Sequence, residues 1–191
     1  DRQAIREATE KEMTRDPFGT VMGIGVDDFT GVFGTTLGLR EQFGDERALN
    51  TPLSEDAMTG AAIGAALAGL RPIHVHIRMD FLLLAMNQLV NIAAKSSYMY
   101  NGAVSVPLVV RSIIGRSWGQ GPQHSQGFYP FFMHVPGLKV IAPSNPYTAK
   151  GSLIESIRDD NPVIFIEHRM LHNLAGRVPE EPVTVDLGPV P

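Results

Sequence analysis

Short apolar runs recur along this chain, separated by amphipathic or small-residue stretches, and that alternation limits the possible folds more than any single residue does. The runs cover residues 20–24, 47–49, 72–77, 106–112, 139–142 and 162–167. Each is short enough for a strand, and the longer ones are apolar without a break, as strands covered on both faces are. Helical patterns fill the intervals at 2–15, 37–43, 55–70, 81–96 and 147–158. The first predicts a surface helix with Ile5, Ala8, Thr9, Glu12 and Met13 on one mixed face, ended by Asp16-Pro17. Gly44 closes the second, and Ser54 stands as the N-cap of the third. This βαβα order predicts an α/β fold: a doubly wound, mainly parallel sheet with helices on both faces. Residues 1–178 read as one domain, and the proline-rich, non-periodic stretch 179–191 reads as a tail leading onward.

Composition narrows the function classes. With 191 residues, 43% of them hydrophobic, the chain can bury its own core. Its 16 basic against 20 acidic side chains leave a net charge of -4 and no basic face for a phosphate backbone, so no nucleic-acid partner is expected. The absence of cysteine excludes disulfides and thiolate chemistry. No apolar run approaches the roughly 18 residues of a membrane span. The first twenty residues are rich in charge, so no signal peptide, no membrane association and a cytoplasmic location are expected.

Ligands of open parallel sheets sit at the carboxyl ends of the strands, and four features fall there. Glu55 follows the turn Thr51-Pro52-Leu53-Ser54 and occupies a first helical turn. An acid there opposes the helix macrodipole, and a chemical role requires a ligand nitrogen to hydrogen-bond. The loop at 115–126 is long and glycine-rich, and it carries Trp118 and His124 among amides. His74 and His76 alternate on one strand and read as core histidines, since no third ligand stands near for a metal. Phe81, after Asp80, can fill the core or stack on a planar ligand. Neither a Gly-x-Gly-x-x-Gly sequence nor a P-loop follows any strand, so a phosphorylated cofactor would have to be held elsewhere.

Taken as one string, several segments carry more weight. Asn50-Thr51-Pro52-Leu53-Ser54-Glu55, the small-residue run 60–72, Asn87-Gln88, Ala93-Ala94-Lys95, Gln123-His124-Ser125-Gln126, His134-Val135-Pro136-Gly137-Leu138-Lys139-Val140, the stretch 157–162 and Glu167-His168 occur in this order. Together they resemble the pyrimidine-binding domain of transketolase-like enzymes, in particular the beta subunits of thiamine-diphosphate-dependent 2-oxo acid dehydrogenases of the pyruvate, branched-chain and acetoin types. The resemblance spans nearly the whole chain.

That resemblance implies an oxidoreductase subunit acting on a small-molecule 2-oxo acid. Glu55 would hydrogen-bond N1′ of the cofactor's aminopyrimidine, Phe81 would stack on that ring, and His124 would face the substrate. Leu108, Ser156, Asp159 and Asn161 fall where some members bind potassium. The diphosphate and its magnesium would belong to an alpha-type partner, and the helix at 60–69 would pair two copies inside an alpha2-beta2 assembly. The tail 179–191 would be a linker to a C-terminal domain. Acids usual in the family are replaced by Ile24, Asn50, Asn87 and Val75, which removes proton carriers between the assembly's active sites. Two alternatives stand beside this reading: a transketolase-like enzyme on another substrate, and a non-catalytic interaction module.

Overall fold

In a computed structural model that describes residues 1–116 and 119–188, six strands form a single sheet. They are β1 (Gly19–Gly23), β2 (Ala48–Asn50), β3 (Arg71–His76), β4 (Val109–Ile114), β5 (Lys139–Ile141) and β6 (Val163–His168). Their order is β2-β1-β3-β4-β6-β5, and every neighbouring pair is parallel. The expected doubly wound sheet is therefore present. Ser117 and Trp118 of the long loop lie outside the described residues.

Helices cover both faces. On one, α1 (Arg2–Arg15) and, late in the chain, α8 (Pro146–Arg158) pack over Val21, Ile73, Val75, Val109 and Phe165. The face of α1 read from the sequence is the buried one. Its Glu12 is enclosed, with Arg15 at 2.7 Å and Arg158 at 2.7 and 3.0 Å. Short helical turns α2 (Gly31–Gly34) and α3 (Leu39–Phe43) follow β1. On the opposite face, α4 (Glu55–Leu67) packs through Ala62, Ile63 and Ala66 against the segment that starts with α5 (Met79–Leu82).

Several boundaries differ from the sequence reading. The helix expected at 81–96 begins two residues earlier and is not uniform: α5 passes into a 3₁₀ turn at Leu83–Ala85, a π-helical stretch at Gln88–Ala93 and α6 (Ala94–Met99). β4 starts three residues later than expected, because Pro107 has no N–H for the ladder. β1 ends at Gly23, and Ile24 lies beyond it in the following turn. Only glycine fits at position 23, since a Cβ there would stand 2.5 Å from the Val75 carbonyl oxygen. The last helix before β5 is α7 (Tyr129–Met133).

After the 3₁₀ turn at Arg169–Asn173 the chain runs without regular structure across the α1 and α8 side. Lys150 of α8, fully buried, donates to the carbonyls of Pro179 and Glu180 at 2.6 and 3.0 Å. The part of the 179–191 tail that is described thus docks on the domain.

Candidate active site

The order of the sheet reverses at β1: the chain leaves β1 for the edge strand β2, then crosses back to β3 on β1's other side. Such a switch point opens a crevice beyond the carboxyl ends of the two strands. Here that crevice is a cleft of about 390 Å³, walled by Ile24 after β1, the 51–55 turn, the exit of β3 and part of the 120–124 loop. Three loops far apart in sequence meet there because parallel pairing places all their strand ends on one side.

Glu55, Phe81 and His124 all line this cleft. Glu55 opens α4 and is half-buried, and its carboxylate has no hydrogen bond or ion pair among the described residues. Ser54 holds the N-cap position as expected, but its hydroxyl makes no capping bond. Phe81 is 37% exposed, and the His124 ring meets it edge-on with centroids 5.2 Å apart. Of the positions where an acid was missed in the sequence, Ile24 and Val75 also face the cleft. Asn50 instead uses its side-chain oxygen to accept the Gly25 N–H at 3.0 Å.

Behind this wall the strand histidines are buried and touch edge-on at 4.4 Å. His74 Nδ1 lies 3.4 Å from the Met22 carbonyl, which can only accept, so Nδ1 carries the proton. His74 Nε2 is then a buried acceptor without a donor among the described residues. Burial lowers the pKa of His74 to about 4 and that of His76 well below its usual range. Both histidines are buried, as core residues are, and both also stand in the lining of the cleft.

Sequence reasoning missed two features. Arg78, only 8% exposed, lines the cleft and donates through Nε and Nη2 to the Gln120 side-chain oxygen at 2.9 and 2.6 Å. Its pKa is lowered, because burial outweighs the attraction of Asp80. An arginine at a strand exit reads as solvated, and nothing local marks it. On the other side of the sheet, Arg111 and Glu167 form a fully buried ion pair at 2.6 Å, extended by His172 at 3.1 Å. Desolvation opposes the Glu167 charge, yet Arg111 and His172 hold its carboxyl at about 2. A charged residue inside each of two apolar strands was the available signal.

Leu108, Ser156, Asp159 and Asn161 gather where α8 ends and β4 begins. Leu108's carbonyl accepts from the Val163 N–H, Ser156 donates to the Ser152 carbonyl, and Asp159 is bridged by Lys139 at 2.6 Å and by Asn161. Arg71 donates to the carbonyls of Ile157 and Asp159. Of these four residues, only Asp159 has oxygens met by side-chain cations, its carboxylate by Lys139 and its carbonyl by Arg71.

A doubly wound domain with an acid, an aromatic face and a histidine at its switch point belongs to the ligand-binding α/β class. A family model described as transketolase, pyrimidine binding domain matches residues 2–173, and the chain belongs to that family. It is 46% identical over 195 residues to an acetoin:2,6-dichlorophenolindophenol oxidoreductase subunit beta of Cupriavidus necator, covering 97% of this chain and 57% of the relative. It is 46% identical to a pyruvate dehydrogenase E1 component subunit beta of Chaetosphaeridium globosum, over 90% of this chain and 53% of that one. A chloroplastic subunit beta-2 of the same component from Arabidopsis thaliana is 42% identical over 97% and 46%. The chain spans about half the length of the curated relatives it matches. An inactive beta4 tetramer of a split-gene transketolase shares the fold, with a TM-score of 0.68, 16% identity and coverage of 88% of this chain and 50% of that one.

Proposed function

We propose that this chain is the pyrimidine-binding half of a thiamine-diphosphate-dependent 2-oxo acid dehydrogenase, completed by an alpha-type subunit that holds the diphosphate and magnesium. Glu55 carries the reading: an unpartnered carboxylate in the first turn of α4, at the switch-point cleft, beside the accessible ring of Phe81. The cleft also fits the cofactor's chemistry, since the half-buried Glu55 carboxylate is an acceptor suited to an amino-bearing heterocycle. The cytoplasm is the compartment proposed, and no described helix is long and apolar enough to cross a membrane.

When bound, thiamine diphosphate supplies a carbon nucleophile and an electron sink for the bond that breaks. Glu55 would accept a hydrogen bond from N1′–H of the aminopyrimidine and so favour the tautomer that can take up a proton. Phe81 offers a flat face that fixes the ring. His124, edge-on to Phe81 in the same cleft, would move a proton at the substrate's oxygen. Ile24, Pro52 and Met58 line the cleft with apolar surface that excludes water.

The chain, co-purified with an alpha-type subunit, should bind thiamine diphosphate by calorimetry and reduce a dye at the expense of a 2-oxo acid. Glu55→Gln should cut turnover by roughly 100-fold or more. His124→Ala should lower kcat far more than cofactor affinity. An intact assembly that binds no thiamine diphosphate overturns the reading. Ile24, apolar in the cleft, favours a second reading as a non-catalytic module, which predicts stable assembly with the partner and no turnover.

A further inference from the structure

The cleft holds a cation that the reaction proposed above does not use. Arg78 is 8% exposed, and no carboxylate among the described residues makes an ion pair with it. Asp80, two residues on, attracts Arg78 without reaching ion-pair distance, and one of its oxygens accepts from the backbone and side chain of Gln126. The partners Arg78 does have are neutral: the Gln120 amide oxygen, which takes Nε and Nη2, and the Ile77 carbonyl at 3.0 Å from Nη1. A guanidinium has five N–H groups, so one on Nη1 and one on Nη2 are left as donors for an anionic group. The Gln120 Nε2 group, also without a partner among the described residues, adds a further donor. A second cation stands near, because Arg169 lies over the Phe33 ring at 4.2 Å and Arg78 lies over the same ring at 5.4 Å.

The position of this cation relative to the reaction follows from two contacts between the same pair of segments. Arg78 meets Gln120, and three and four residues further along Phe81 meets His124. The donor set therefore sits one rung away from the groups assigned to cofactor and substrate. We propose that Arg78 and Gln120 form a subsite for a second anionic group of the substrate, a carboxylate at the end of a 2-oxo acid remote from the bond that breaks. This rests on the function proposed above and adds the substrate class. The departing carboxylate is the wrong occupant: it leaves as uncharged carbon dioxide, so a guanidinium paired with it would hold the ground state more strongly than the transition state and slow the reaction. A remote carboxylate keeps its charge throughout and gains affinity without that penalty. The cation also gives a neutral substrate such as acetoin nothing to bind.

The test compares 2-oxoglutarate with 2-oxopentanoate, equal in carbon count but lacking the second carboxylate, on the intact assembly loaded with thiamine diphosphate and magnesium. The wild type should favour 2-oxoglutarate in kcat/KM by roughly 10- to 100-fold, the range of a charge-assisted hydrogen-bond pair. Arg78→Met should remove that preference mainly through KM, Arg78→Lys should restore part of it, and both should bind cofactor as the wild type does. Glutarate binding by calorimetry, weakened in Arg78→Met, should report the same subsite without turnover. Equal use of the two acids by the wild type, equal losses for both in Arg78→Met, or no glutarate binding overturns the subsite. Failure of the functional reading is distinguishable, because it shows as absent thiamine diphosphate binding.

Discussion

His74 ties the cleft wall to a pH dependence. Its folded pKa of about 4 lies below the usual 6.5, and His76 is shifted in the same direction. The unfolded chain therefore binds more protons than the folded one in this window, so stability is full above about pH 6.5 and falls as the pH drops toward 4. The limit for His74 alone is about 3 kcal/mol. Urea unfolding from pH 7.5 to 4 should show this decline, and His74→Gln should flatten it; an unchanged slope would show that other groups govern acid sensitivity. Glu55, Phe81 and His124 were legible because residue type and neighbouring motif coincide at each. Arg78 was not, since its meaning comes from burial without an ion pair among the described residues, and no window of sequence reports that.

Among the elements, α8 is the best specified by its local sequence. Asn145 caps it by accepting from the Thr148 N–H at 2.9 Å, and Thr148 accepts from the Asn145 N–H at 3.3 Å, the reciprocal box that frees no donor. Asn145→Ala should cost about 1 kcal/mol in unfolding free energy, and a loss near zero in denaturant titration would show that Pro146 and packing alone set the helix start. The segment at 79–99 is the opposite case. Its apolar spacing gave helix as the type, but the change from 3₁₀ to π to α within it is a response to packing against α4, β4 and α7. β4 and β6 were legible as apolar runs. The pairing of Arg111 with Glu167 inside them depends on register, which sets Ile113 opposite Glu167 and brings position 111 within reach.

At the scale of the whole molecule, α4 has one face in the core and one in solvent. Ala61, Gly64 and Ala68 are exposed, and a Cβ on Gly64 would meet nothing within 4 Å. Within the lone chain a larger residue there is harmless, so Gly64→Leu should leave the thermal midpoint unchanged or slightly higher. The small-residue surface proposed to pair two copies should not tolerate it. Sedimentation velocity of Gly64→Leu with the alpha-type subunit should show smaller species than the wild type, and an unchanged assembly would place the interface elsewhere. By itself the sequence determined the order and type of the elements, the family and the residues that its motifs carry, because periodicity and motif are properties of neighbouring residues. Only the tertiary structure decided where the crevice opens, that His74 keeps a donorless nitrogen, and that Arg78 stands in the cleft without an ion pair among the described residues. Those depend on which strand ends lie side by side and on what water can no longer reach, and both are fixed by parallel pairing between residues far apart along the chain.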